Sequence, residues 1–169
     1  MQVVIVWIYL IKKVMEKVLS KKECEFILNK VSNQEWERVD IHSHYHQTFI
    51  EDKDIVETFE TYFGKKFLSK PILKVLKLSE GDYLPAYTSD YDSITLDDYK
   101  KYHGTNFIIE CYLNDNFLGG SLNNHVPRQG YGMIHNKTAV SKISKVTNGT
   151  CYFIFCYIKK IKKDEISFI

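Results

Sequence analysis

Arginine is almost missing from this sequence: of 23 basic residues, only Arg38 and Arg128 carry a guanidinium. Arginine reads phosphates and base edges through paired hydrogen bonds, and the net charge is only +2, so nucleic-acid recognition is disfavoured. Proline and glycine are scarce, at 3 and 8, which excludes a collagen-like or low-complexity chain. The four cysteines, Cys24, Cys111, Cys151 and Cys156, form no CxxC pair, and two lie in one apolar run. Buried free thiols and a reducing, cytoplasmic compartment are expected, with a disulfide or a metal as the minor reading. No P-loop, GxSxG, HExxH or dinucleotide fingerprint is present. No apolar run reaches the roughly twenty residues of a membrane-spanning helix. The longest, MQVVIVWIYLI over residues 1–11, lacks the basic start and small-residue cleavage site of a secretory leader. Its Val and Ile favour a buried strand within an appendage of residues 1–17; a membrane or partner contact through residues 1–11 is the minor reading.

What remains is an ordinary globular composition of 169 residues, 44% hydrophobic and 26% charged. One domain of this length buries roughly two-thirds of its unfolded surface and needs no staples. Residues 18–161 form that domain and 162–169 a tail, with the lysines of 159–163 read as a solvated chain end. Ser20 and Glu23 make a capping box, and Cys24, Ile27, Leu28 and Val31 follow at helical spacing, which predicts a helix over 21–32. Ile55, Val56, Phe59, Tyr62 and Phe63 predict a second over 52–63, stopped by Gly64. Between them, 38–48 alternates as a strand would and places His42, His44 and His46 on one face. Three histidines spread along one strand are too far apart to share an ion easily, so a solvated edge is preferred over a metal site. His103, His125 and His135 are read as surface or packed residues.

After Pro71 the texture changes to strands: 72–78, 105–113, 130–134, 139–146 and 150–161. Residues 81–98 read as a loop, Gly119-Gly120 as a tight passage, and Asn148-Gly149 as a hairpin turn between the last two strands. The last strand, CYFIFCYIKKI, is apolar on both faces and therefore central. Helices first and sheet afterwards is an α+β pattern with a sandwich or barrel core.

Five pieces of this chain also come in a telling order. Val18 to Cys24 reads VLSKKEC, and Leu78 to Asp82 reads LSEGD. Tyr112 to Gly120 reads YLNDNFLGG, the most specific piece. Val126-Pro127-Arg128-Gln129-Gly130 follows, and then Ile143, Val146, Thr147, Gly149 and Tyr152. In order and spacing they resemble the prolyl 4-hydroxylase-like branch of the Fe(II)/2-oxoglutarate oxygenases, over residues 18–158. That resemblance implies a double-stranded β-helix, a jelly-roll or cupin-like core, with the N-terminal helices packed outside its major sheet.

Active members hold iron with two histidines and one carboxylate. The resemblance sets Tyr87 at the first histidine position, Ser89 at the aspartate and Ser141 at the second histidine. Cys151 stands where a basic residue grips the far carboxylate of 2-oxoglutarate. A phenol with a pKa near ~10 stays protonated at neutral pH, and serine hydroxyls are weak neutral donors. A thiol cannot make the bidentate, charge-assisted pair an arginine gives a carboxylate. Asp90, beside Ser89, could not recover the missing histidines. Scaffold residues are kept and chemistry residues are replaced. The expectation is a catalytically inactive oxygenase-fold protein serving as a protein- or peptide-binding or structural module, with no cofactor. The alternative is an active Fe(II)/2-oxoglutarate dioxygenase with atypical ligands.

The expected binding groove comprises Tyr83, Tyr87, Asp90, Tyr91, Tyr99 and Asn114, within and beside a stretch rich in tyrosine and aspartate. Such residues offer rigid contact area with hydrogen-bonding tips. A component of a viral particle would also fit the Lys-, Ile- and Asn-rich, AT-type composition.

Overall fold

The structure, a computed structural model, describes residues 15–40, 44–87, 100–137 and 139–161, with Ala86 and Tyr87 as backbone only. Helix α1 (Lys21–Val31) begins at the expected box: Glu23 N–H donates to the Ser20 hydroxyl at 3.2 Å, and Ser20 N–H to the Glu23 carboxylate at 2.6 Å. Helix α2 (Lys53–Phe63) begins on Asp52, whose carboxylate accepts Ile55 N–H at 3.0 Å. It ends on Gly64, left-handed at φ +80°.

The strands are β1 (Glu16–Lys17), β2 (Glu37–Val39), β3 (Tyr45–Ile50), β4 (Ile72–Leu78), β5 (Leu84–Tyr87) and β6 (Phe107–Tyr112). They continue with β7 (Leu118–Gly119), β8 (Tyr131–Asn136), β9 (Ser141–Ile143), β10 (Val146–Asn148) and β11 (Cys151–Ile158). Seven form one antiparallel sheet in the order β1-β8-β6-β11-β4-β3-β2. The other four pair as β5 with β9 and β7 with β10.

The large sheet is buried on both faces because its strands are apolar on both. On one face Val75, Ile109, Cys111, Ile154 and Cys156 meet the buried stripes of both helices, Cys24, Ile27 and Val31 with Ile55, Phe59 and Phe63. On the other, Leu76, Ile108, Tyr112, Phe153, Phe155 and Tyr157 meet Leu84, Phe117, Leu122, Ile143 and Val146 from the short strands and their loops. The order of layers is helices, large sheet, short strands. Among the described residues no helix is long and apolar enough to cross a membrane.

Four expectations need correction. The strand over 38–48 is two strands, β2 and β3, paired antiparallel with Arg38 opposite His46. The loop over 81–98 contains β5, held by β9. The strand over 139–146 is two short pieces, because β9 pairs with β5 while β10 turns to β7. Asn148-Gly149 is not a hairpin: β10 and β11 do not pair, and Gly149 at φ +81° carries the chain from the short strands into the centre of the large sheet. A strand apolar on both faces needs a partner on each edge, and β11 finds them in β4 and β6. Residues 1–14, with the expected N-terminal strand, lie outside the described residues, as does the tail from 162.

Candidate functional site

Charged side chains inside the molecule converge on the face of the large sheet turned to the short strands. Strand register sets Lys74, Phe155, Glu110 and Met133 side by side on β4, β11, β6 and β8. The next row on the same face runs Ile72, Tyr157, Ile108, His135. Glu110 and His135 are therefore diagonal neighbours on adjacent strands. Ser141, the first residue of β9, reaches them from the opposite layer.

These three side chains close on one another. Ser141 Oγ donates to Glu110 Oε2 at 3.1 Å and lies 3.3 Å from His135 Nε2. His135 Nε2 is 3.0 Å from Glu110 Oε1, and the two side chains are 4% and 0% exposed. On the far side of the ring, His135 Nδ1 is 3.0 Å from the carbonyl oxygen of Asn136. A carbonyl only accepts, so Nδ1 carries a proton. In the same interior, Lys74 is 1% exposed. Its ammonium lies 5.9, 5.2, 5.7 and 5.1 Å from the ring centres of Tyr45, Tyr102, Phe155 and Tyr157. Aromatic faces attract a cation most strongly where water is excluded.

The sequence-assigned positions fall around this cluster. Tyr87 and Ser141 are Cα partners on β5 and β9. Cys151 starts β11 opposite Leu78, fully buried, and burial pushes its thiol pKa well up. Ser89, Asp90, Tyr91 and Tyr99 lie outside the described residues, and so does His42. Tyr83 exchanges backbone hydrogen bonds with His44 at 3.2 and 3.1 Å. Its ring sits 5.2 Å from that of His44 and 5.9 Å from the Lys145 ammonium. His44 turns to Asp40 at 3.1 Å. Among the described residues no three His, Cys, Asp or Glu side chains gather as a metal site.

The retained motif residues have visible structural tasks. Tyr112 Oη accepts Leu122 N–H at 2.6 Å and donates to Gly120 O at 3.1 Å, tying the large sheet to the short-strand layer. Asn114 accepts Tyr152 N–H and donates to Thr150 O, both at 2.8 Å, clamping the start of β11. A side chain on Gly119 would lie 2.1 Å from Lys145 O. Asp82 accepts Ser79 N–H at 2.8 Å and Arg38 Nη1–H at 2.9 Å, closing the turn from β4 to β5.

Sequence reading missed the cluster. It filed His135 with the scattered histidines and gave Glu110 no role. The available signal was a single charge inside an apolar strand, Glu110 in FIIECY. A separate groove of about 470 Å³ lies among Ile50, Val56, Phe67, Leu68, Pro71 and Leu73. Its rim charges are already paired, Lys70 with Glu51 at 2.7 Å and Lys66 with Glu60 at 3.5 Å.

No family model matches the sequence. No curated protein matches it either. The fold does have relatives among solved structures, and they define a class: 2-oxoglutarate–iron(II) oxygenases, which have a jelly-roll core. One is an oxidoreductase of that family from Burkholderia pseudomallei, 10% identical, with TM-score 0.62 over 86% of this chain and 84% of that one. Another is the viral collagen prolyl hydroxylase of Paramecium bursaria Chlorella virus-1, in complex with 2-oxoglutarate. It is 16% identical, with TM-score 0.61 over 89% and 98% of the two chains. A third is a Pseudomonas putida prolyl-4-hydroxylase, 8% identical, with TM-score 0.61 over 87% and 91%. At these identities the likeness is one of fold.

Proposed function

We propose that this chain is an oxygenase-fold protein without the oxygenase reaction: a degenerate double-stranded β-helix, lacking the metal ligands, that serves as a protein- or peptide-binding module. The strand order supports the β-helix reading. Strands β8, β6, β11 and β4 make one wall, and β5, β9, β10 and β7 supply short strands for the other.

One observation carries the loss of chemistry. Ser141, at the second histidine position, has spent its only proton on Glu110 and faces His135 with its oxygen. The side chains here do not fit an iron centre. Tyrosine and serines replace two imidazoles and a carboxylate, and Cys151 offers no charge to a dicarboxylate. The relatives named for prolyl substrates suggest a proline-containing peptide as the ligand, held along Tyr83, Tyr87, Asp90, Tyr91, Tyr99 and Asn114.

The test is thermal unfolding with Mn(II), a redox-inert stand-in for Fe(II), and 2-oxoglutarate, separately and together. A ligand at a hundred times its Kd adds about 2.7 kcal/mol to the folded state, a shift of several degrees. No shift is expected. A shift that needs both ligands together would show a working cosubstrate site and sink the reading. Anisotropy of a labelled proline-rich peptide tests the other half: saturable binding that Asp90→Lys weakens is expected, and no binding removes the peptide-module assignment.

A further inference from the structure

Two cations flank one tyrosine at the β1 edge of the large sheet. The register of β1 sets Lys17 opposite Tyr131 on β8. Cross-strand partners share a face, so the two side chains are neighbours. The Arg128 guanidinium stands 4.0 Å from the centre of the Tyr131 ring. Lys17 and Arg128 are exposed, and among the described residues neither has a carboxylate partner. Stacking occupies the flat face of a guanidinium and leaves its N–H donors at the rim, which is how arginine takes up phosphate. Val126, two residues before Arg128, is 84% exposed.

The sequence leading into β1 has the complementary chemistry. Residues 1–11, MQVVIVWIYLI, hold no charged side chain, and Lys12 and Lys13 follow at once. Eleven residues are about half of what a spanning helix needs. One short apolar anchor attaches to a bilayer only reversibly, and a basic patch is the usual second signal that makes the attachment stable. Lys12, Lys13, Lys17 and Arg128 supply such a patch. Trp7 and Tyr9 are of the aromatic types enriched at the membrane–water interface. An acidic protein would match the cations but not an uncharged run of eleven residues, whereas an anionic lipid surface matches both. We propose that this edge of the protein docks on an anionic bilayer, with residues 1–11 entering the headgroup region and the four cations meeting lipid phosphates and carboxylates. The inference goes beyond the peptide-module reading and stands without it.

Flotation of the full chain with lipid vesicles tests it. Vesicles of phosphatidylcholine mixed with phosphatidylserine should carry the protein upward, phosphatidylcholine alone should not, and high salt should release it. Each basic residue at such a surface is worth about fivefold in partitioning, so Lys17→Gln with Arg128→Gln should weaken binding by about 25-fold. Both positions are exposed, so the unfolding midpoint of that variant should match the wild type. Ile5→Asp with Ile8→Asp should abolish flotation and leave the midpoint unchanged. A wild-type protein that floats with neither vesicle overturns the inference, and a midpoint lowered several degrees by the two aspartates would then assign residues 1–11 to the protein core. Equal flotation on phosphatidylcholine alone would overturn the role of the cations. Unchanged flotation of the Lys17→Gln, Arg128→Gln variant would remove this edge as the docking surface.

Discussion

Tyr87 and Ser141 stand directly opposite each other, as Cα partners on the antiparallel strands β5 and β9. Residues so placed have Cβ atoms within about 5.5 Å, close enough for two imidazoles to share an ion. Here the pair is a phenol and a hydroxyl, and Ser141 turns to a carboxylate on the other layer. The Ser141 hydroxyl thus serves a bond inside the molecule.

The short-strand layer depends on glycines whose reasons differ. Gly119 has φ +78° and its missing Cβ would meet Lys145 O at 2.1 Å, whereas Gly64 at φ +80° faces open space. Gly64→Ala should therefore cost only the left-handed penalty of about 1–2 kcal/mol. Gly119→Ala must also push β7 off β10 and should be too unstable to give a cooperative transition at room temperature. Equal denaturation midpoints for the two variants would contradict the close approach.

Tyr112 links the two layers through one hydroxyl. Phenylalanine there would leave the buried Leu122 N–H without its acceptor, at a cost of about 1–3 kcal/mol in urea unfolding. Burial, with Cys151 and Glu110 adding to it, raises the Tyr112 pKa, so the phenol stays protonated and keeps donating to Gly120 into alkaline solution. A Tyr112→Phe protein as stable as the wild type would mean that Leu122 finds another partner.

What could be read from the sequence was whatever depends on near neighbours. The capping box at Ser20 and the Gly64 stop specify helices locally, and an apolar run such as CYFIFCYI must lie between two strands. The failures came where partners are distant. Asn148-Gly149 has the chemistry of a hairpin, yet β10 is drawn to β7 by the fit of Gly119 against Lys145 and Thr147. β9 and β10 looked like one strand because nothing local says that β5 and β7 divide them. The buried cluster was hidden for the same reason: Glu110 lies far along the chain from His135 and Ser141, and only sheet register and layer stacking bring it to them.

Acid should loosen helix α2 first at its start. Burial raises the Asp52 carboxyl, but the Ile55 N–H and Lys30, whose ammonium is 3.0 Å away, outweigh it and hold its pKa below the ordinary 3.8. A carboxyl depressed by folding contributes its stability in full above the unfolded value, and loses it as pH falls through the folded one. The window is thus below about pH 4. Asp52→Ala should cost about 1 kcal/mol at neutral pH through the lost cap. Asp52→Asn keeps a cap without the titration, so its stability should fall less than the wild type's between pH 4 and 2. Parallel curves would show that Asp52 does not titrate with unfolding.

The thiols should be silent in the folded protein. All four are free and buried. Burial, aided by Glu23 and Glu25, pushes Cys24 up to about 12, and burial raises Cys111, Cys151 and Cys156 as well. Only the thiolate is nucleophilic. Ellman's reagent at pH 8 should find no fast-reacting group in native protein and four after denaturation. One fast thiol in the native state would reveal local opening at that cysteine.

Cys151→Arg tests the proposed loss of a 2-oxoglutarate anchor. Cys151 is fully buried and packs with Leu78, Tyr112 and Phe153 in the inner core. A guanidinium there would be a buried unpaired charge, which costs several kcal/mol. In a barrel still shaped for 2-oxoglutarate, the dicarboxylate would neutralise that charge and restore stability. On the proposed reading this interior holds no such site. The variant should therefore be strongly destabilised, and millimolar 2-oxoglutarate should not raise its unfolding midpoint. Recovery of several degrees by 2-oxoglutarate, but not by succinate, would show that the interior still recognises a 2-oxo acid and that only the anchor has been lost.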